Sequence, residues 1–240
     1  MSDPGKALVE MRHVSKTYRD HVEVRALREV NLGLERGAFA AVVGPSGSGK
    51  STLLHLMGAL DRPDEGHISI AGVDLTATPS DRLAEFRLYS IGFVFQAFNL
   101  LPVLSVEENL EYVAALQGTG RSKRQERARE LLEAVGMADL RDKRPNELSG
   151  GQQQRVAVLR AIMTEPAIVL ADEPTANLDS ANASNLLDMM ERMNREKGIT
   201  FLFSTHDPQV MERARRLIRL RDGAIIADET VRQGPGPGGA

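Results

Sequence analysis

Phe39-Ala40-Ala41-Val42-Val43-Gly44-Pro45-Ser46-Gly47-Ser48-Gly49-Lys50-Ser51-Thr52 decides the fold. Phe39 to Val43 is apolar without alternation, which reads as a strand buried on both faces, as in a parallel sheet. Leu53, Leu54, Leu56, Met57 and Leu60 then continue as one side of a helix. A glycine-rich turn ending in Lys-Ser between strand and helix is a phosphate-binding loop. Its residue types follow from the task. Backbone N–H groups must converge on phosphate oxygens, so Gly44, Pro45, Ser46, Gly47, Ser48 and Gly49 are small, and the helix N-terminus adds a positive end. Lys50 neutralises the β- and γ-phosphates, Ser51 offers a hydroxyl to Mg²⁺, and Thr52 completes the motif.

Outward from this stretch, Ala7 to Val14 and Val22 to Leu34 alternate apolar and polar residues. Val22, Val24 and Ala26 fall on one face, as do Val30, Leu32 and Leu34, which predicts antiparallel strands with one buried face. Asp61 to Gly66 breaks the chain, Ile68 and Ile70 start a strand, and Ile91 to Phe95 forms another that ends at Gln96. The middle is helical. Ser105 with Glu108 and Ser122 with Gln125 both fit the capping box, and Gly136 suits a helix stop. A third helix runs from about Gly150 toward Pro166. Strands resume at Ile168 to Ala171 and Thr200 to Ser204, with a helix from Ser180 to Lys197 between them, stopped by Gly198. Asp222-Gly223 between apolar pairs signals a hairpin, and Gly234 to Ala240 reads as a disordered tail. The expected architecture is an α/β P-loop NTPase (RecA-like) fold. A parallel-sheet core carries an N-terminal antiparallel β subdomain and an inserted helical subdomain at about 97–165. The single domain spans 7–231, with 232–240 as the tail.

Ile168-Val169-Leu170-Ala171-Asp172-Glu173 puts two carboxylates at the end of a buried parallel strand, where such folds bind ligands. Asp172 orients Mg²⁺ there. Glu173 polarises an attacking water, since phosphoryl transfer needs positioning and charge stabilisation more than covalent help. Between these motifs lies Leu148-Ser149-Gly150-Gly151-Gln152. Ser149, Gly150 and Gly151 open a helix and present backbone donors and a dipole to a phosphate. The chain already holds one phosphate cradle, so a second has a use only against another subunit.

With the phosphate loop, LSGGQ and the acidic pair in this order, the chain resembles the ATP-binding cassette ATPases from about Ala7 to Glu229. The resemblance implies further roles. Tyr18 stacks on adenine, Gln96 is the Q-loop glutamine near the γ-phosphate and Mg²⁺, and Ser149 to Gln152 contact the nucleotide of a second subunit. Asn177-Leu178-Asp179 is the D-loop, and His206 is the switch histidine. It also implies ATP and Mg²⁺ as cofactors and a homodimer, paired head to tail, on ATP binding. Phe93 to Pro102, Ser149 to Arg155 and Asp172 to Asp179 look like the lipoprotein-releasing and macrolide-exporter group. Members of that group work with an integral membrane permease bearing a large periplasmic domain, and through it with a periplasmic adaptor. On that likeness Phe98 to Pro102 and the helical lobe form the groove for the permease's coupling helix. Ala176 departs from the glycine usual there. A regulatory cassette of a cell-division or cell-wall complex that moves no solute is the alternative.

Composition is compatible with this reading. Hydrophobic residues are 42% and charged residues 26% of 240, ordinary for a globular protein. A net charge of −3 argues against a nucleic-acid partner. Cysteine is absent, which removes disulfides and thiolate metal sites. No run of about 20 apolar residues occurs, and Met1 to Lys6 lacks an apolar signal core. The expectation is a cytoplasmic protein held at the inner face of the membrane through its permease. His13, His21, His55 and His67 fit no motif, and Met189, Met190, Met193 and Met211 read as core packing.

Overall fold

The structure, a computed structural model, describes residues 7–19 and 23–231. Val22 and the tail at 232–240 lie outside the described residues.

Two sheets share the chain. The first, in the order β2-β1-β4-β5, is antiparallel and comprises β1 (Val9–Arg19), β2 (Glu23–Leu34), β4 (Glu65–Ile70) and the short β5 (Val73–Asp74). The second, in the order β10-β9-β3-β8-β7-β6, contains β3 (Phe39–Val43), β6 (Ile91–Val94), β7 (Ile168–Asp172), β8 (Phe201–Thr205), β9 (Arg216–Arg221) and β10 (Ala224–Thr230). It is parallel from β9 to β6, and β10 returns antiparallel on β9. Asp222 and Gly223 both take positive φ, 48° and 79°, the conformation a two-residue hairpin turn requires.

The absence of alternation in β3 has a direct packing cause. Phe39, Ala41 and Val43 enter one core with Val169, Ala171, Phe201 and Phe203, while Ala40 and Val42 enter another with Leu170, Leu202 and Ile218. The first core is closed by α5 (Gly150–Ile162) and α6 (Ser180–Lys197), and the second by α1 (Lys50–Met57) and the antiparallel sheet. Between β6 and β7 in the chain, α3 (Val106–Leu116) packs on α4 (Arg121–Ala134) and on α5. Two further helices, α2 (Ser80–Ser90) and α7 (Pro208–Arg213), and two 3₁₀ turns at Ala138–Leu140 and Pro145–Glu147 complete the described elements. No helix among the described residues is long and apolar enough to cross a membrane.

Most expected boundaries hold. The Ser105–Glu108 capping box has both bonds, at 3.2 and 2.8 Å. Helix α6 runs from Ser180 to Lys197, with Gly198 left-handed at φ 66° after it. Met189, Met190 and Met193 are core residues.

Four expectations need correction. Ser122 does not cap α4: the helix starts at Arg121 after Gly120, so Ser122 already sits inside its first turn. Leu60 is not on α1, which ends at Met57, and it is 48% exposed. Val24 is 53% exposed because the sheet face it shares with Ala26 opens there onto a cleft. Strand β6 stops at Val94, one residue before Phe95. Helix α2 was not anticipated, because its apolar stripe is thin: only Leu83 and Phe86 are buried.

One buried amide fastens α6 to the sheet. Asn194 Nδ2 donates to Gly37 O (2.9 Å), Ala38 O (3.4 Å) and Ile199 O (2.6 Å), and its Oδ1 accepts from Arg215. Asn194→Leu keeps the branched outline of the side chain but strips these carbonyls of their donor. It should lower unfolding free energy by about 2–4 kcal/mol in urea denaturation, and an unchanged midpoint would refute this account of α6.

Candidate functional site

Parallel pairing brings the site together. Val43 stands beside Thr205 and Asp172 beside Ser204, so the loops after β3, β7 and β8 emerge along one sheet edge. A cleft of about 620 Å³ opens there. The loop from Pro45 to Thr52 forms its floor, and Gln96, Glu173, Ala176 and His206 form one side. Tyr18, Val24 and Ala26 from the antiparallel sheet form the other.

The loop is tightly determined. Gly49 has φ 104° and a Cβ there would meet Ala26 O at 2.3 Å, while a Cβ on Gly44 would meet Leu220 O at 2.1 Å. Both neighbours are backbone, so neither can yield, and the loop's close seat on β2 and β9 requires glycine at these points. Gly47 meets nothing within 4 Å, so its contribution is positive φ and an open approach to the backbone. Lys50 is nearly buried, and its Nζ donates to Gly44 O at 2.8 Å and Pro45 O at 3.0 Å, which holds the ammonium over the loop. The side chain of Ser48 is buried with its hydroxyl unpartnered.

Ser51 Oγ donates to Asp172 Oδ1 at 3.3 Å. A hydroxyl and a carboxylate are hard oxygen donors, and no cluster of three or more His, Asp or Glu that could hold a metal occurs among the described residues. Such a pair fits a small hard cation that shares its shell with phosphate oxygens and water, as Mg²⁺ does, rather than an all-protein cage.

Glu173 is held from two sides. Its Oε1 lies 2.7 Å from His206 Nδ1, and its Oε2 accepts from Thr205 Oγ1 at 3.2 Å. An ionised carboxylate only accepts, which places the proton of the pair on Nδ1. Thr205 is fully buried and its Oγ1 also accepts from Asp207 N (3.0 Å), so the hydroxyl proton is directed at Glu173. The backbone of Glu173 is left-handed at φ 45°, a strained conformation for a non-glycine residue that its bond to Ser204 O (2.9 Å) sustains. Ala176, by contrast, is not among the residues with positive φ, so alanine in place of glycine brings no strain there.

Tyr18 lines the cleft at the end of β1. Its hydroxyl donates to Asp61 Oδ2 at 3.0 Å, and Asp61 also takes Lys16 Nζ at 2.9 Å. Burial is the main cause that raises the phenol's pKa above its ordinary value. Lys16 and the surrounding hydrogen bonds hold Asp61 below the usual carboxylate range, against its partial burial.

Not every expected residue reaches the cleft. Ser149, Gly150, Gly151, Gln152 and Asp179 do not line it. Ser149 and Gln152 form a reciprocal capping box at the start of α5, with bonds of 3.3 and 2.9 Å. A Cβ on Gly151 would meet Asn182 Oδ1 at 2.5 Å, so that glycine is needed for packing. A Cβ on Gly150 would make only ordinary contacts, with Phe98 at 3.6 Å and Asn177 O at 4.0 Å, so packing within the chain does not require it. Asp179 caps α6 and accepts from Asn182 N at 2.8 Å. Thr205, Asp61 and Gln154 went unread in the sequence because each acts through a tertiary contact. Only the run Thr205-His206-Asp207 after a buried strand carried a signal.

Comparison with known proteins agrees with this geometry. The family described as ABC transporter matches residues 27–176. The macrolide export ATP-binding/permease protein MacB of Syntrophobacter fumaroxidans is 45% identical over 91% of this chain, but the match covers 31% of that relative. The chain thus spans about a third of the length of such relatives. The ABC transporter ATP-binding protein MJ0796 of Methanocaldococcus jannaschii is 41% identical over 94% of this chain and 98% of its own. A solved dimer of the MJ0796 cassette bound to ADP and Pi superposes with a TM-score of 0.83 at 39% identity, covering 94% of this chain and all of that one. With its phosphate loop, acidic pair and cassette fold in place, the chain belongs to the ABC transporter family and is an ATPase of that family.

Proposed function

We propose that this cassette hydrolyses MgATP as half of a head-to-tail homodimer and drives a membrane permease, in export or in lipoprotein release and related mechanotransmission. One observation carries the reading: the LSGGQ helix start lies outside the cleft that its own chain builds. Most of the phosphate loop, Ser51 and Glu173 line that cleft, and Asp172 stands behind it on its bond from Ser51. Ser149 and Gly150 present an uncrowded helix N-terminus elsewhere, fit for the nucleotide of a second copy. The dimeric structure of the MJ0796 cassette supports a dimer.

Within the proposed site Tyr18 stacks on the base, and Gly44 to Thr52 cradle the phosphates. Ser51, Asp172 and Gln96 would hold Mg²⁺, which would supply charge neutralisation to the phosphates. Glu173 takes a proton from the attacking water as the bond to the γ-phosphorus breaks, with ADP as the leaving group. Its two observed partners leave acceptor capacity on both oxygens, and His206 orients it. Asp179 and Gln152 act at the dimer interface. The domain is a single unit from 7 to 231, with the helical lobe at about 97–165.

The permease contact has a natural place. A cleft of about 490 Å³ is lined by Leu60, Phe93, Phe95, Leu101 and Tyr112, with Arg160 at its wall. Leu60 and Tyr112 are exposed, as is nearby Val103. This apolar groove suits an amphipathic coupling helix. The segment Phe98 to Pro102 splits between two jobs, because Leu100 packs on the core while Leu101 lines the groove. The fusion of cassette and permease named in the MacB relatives supports a permease partner, and an adaptor would act through it. The cassette then works at the inner face of the membrane.

Three variants test the reading. Glu173→Gln should bind MgATP, hydrolyse it at least about 100-fold more slowly and accumulate as an ATP-bound dimer on sizing columns; near-normal turnover would remove Glu173 as the base. Lys50→Ala should lose nucleotide binding in calorimetry, and unchanged affinity would sink the cradle assignment. Ser149→Arg should keep ATP binding yet abolish the dimer in the Glu173→Gln background, whereas an intact dimer would contradict head-to-tail pairing.

A further inference from the structure

Two turns that carry the proposed chemistry meet at one buried side chain. Gln154, on α5 five residues after Ser149, has no exposed surface. Its Nε2 donates to Pro174 O at 2.8 Å and to Phe95 O at 3.3 Å. Pro174 directly follows Glu173, and Phe95 directly precedes Gln96. Both acceptors are carbonyls, so the orientation of the amide is settled: only its NH₂ can face them. Its Oε1 is left buried with no partner. A buried acceptor without a donor is a cost, so stability alone is a poor account of a glutamine at this position.

The surrounding contacts tie the same two segments. Arg160, also on α5, donates to Asn99 O at 2.6 Å and to Phe98 O at 3.2 Å. Asn177 Nδ2 crosses from the other turn to Gln96 O at 2.9 Å. Backbone 95–99 is therefore joined to α5 by Gln154 and Arg160, and to 174–177 by Gln154 and Asn177.

We propose that Gln154 is a positioning residue that locks the Gln96 turn to the Glu173 turn, so that α5, whose first turn is the LSGGQ stretch, sets both at once. The proposal rests on the ATPase reading of the cleft. A shift of α5 on contact with a second subunit would then reach Gln96 and Glu173 through one hydrogen bond each, made to the carbonyl of the adjoining residue. Residues that hold the nucleotide, Lys50 on α1 and Tyr18 on β1, make no hydrogen bond to Gln154. The contacts of Lys50 and Tyr18 are therefore left in place, and the device acts on turnover far more than on nucleotide affinity. Small displacements of catalytic groups carry large rate penalties, which makes the effect measurable.

Gln154→Met keeps the length of the side chain and deletes both donors. In the full chain it should lower kcat for MgATP by about tenfold or more, with nucleotide Kd within about twofold of wild type. A purely structural role would instead lower Kd-derived affinity and thermal midpoint together with kcat, and that outcome overturns the proposal. Asn177→Ala is the second variant: Asn177 is exposed, so folding is not at stake. It should lower kcat at constant Kd, and because the two braces act in parallel, the double variant should lose more than the product of the single losses. Wild-type kcat in Asn177→Ala, with Gln154→Met either active or unfolded, overturns the proposal. A wild-type chain that fails to hydrolyse MgATP would sink the ATPase reading instead, which keeps the two failures apart.

Discussion

The side-by-side parallel pairing of β3, β8 and β7 is the constraint on which the molecule depends. Parallel strands deliver all their following loops to one edge. Val43 beside Thr205 and Asp172 beside Ser204 thus bring together the phosphate loop, the acidic pair and His206, which are spread from position 44 to position 206 of the chain. Burial on both faces fixes this register, since each strand divides its residues between two cores and a one-residue slip would exchange them.

Rigid support behind the site continues that logic. Gly44 and Gly49 sit where any Cβ would strike backbone, so the loop is seated on the sheet rather than free above it. Glu173 keeps a strained backbone and is aimed by Thr205, whose own hydroxyl is oriented by Asp207. Preorganisation of this kind lets a carboxylate act without rearranging during the reaction.

On the proposed head-to-tail reading, the same fold leaves the enzyme incomplete. Gly150 is uncrowded while Gly151 is packed against Asn182, so the two glycines of LSGGQ answer to different demands. One belongs to the chain's own packing. The other is free for a neighbour. The braces from α5 to residues 95–99 and 174 give that exposed end a mechanical connection to the interior of the site.

By itself the sequence determined the elements whose signals are local. Strand β3 and its loop were legible because burial on two faces removes alternation and phosphate contact demands small residues. The N-terminal cap of α3 and the glycine stop of α6 were legible because their signals lie within a few residues of the helix ends. The resemblance to cassette ATPases rested on motifs of the same local kind. Tertiary structure alone decided what depends on distant neighbours. Helix α2 has too few apolar residues to announce itself, and Val24 is exposed because its face opens on the cleft. Ser122 lost its cap to Gly120. Gln154, Thr205 and Asp61 take their roles from partners 20 to 59 residues away, and pairing at that range is set by how the sheet and α5 pack, which no short pattern records.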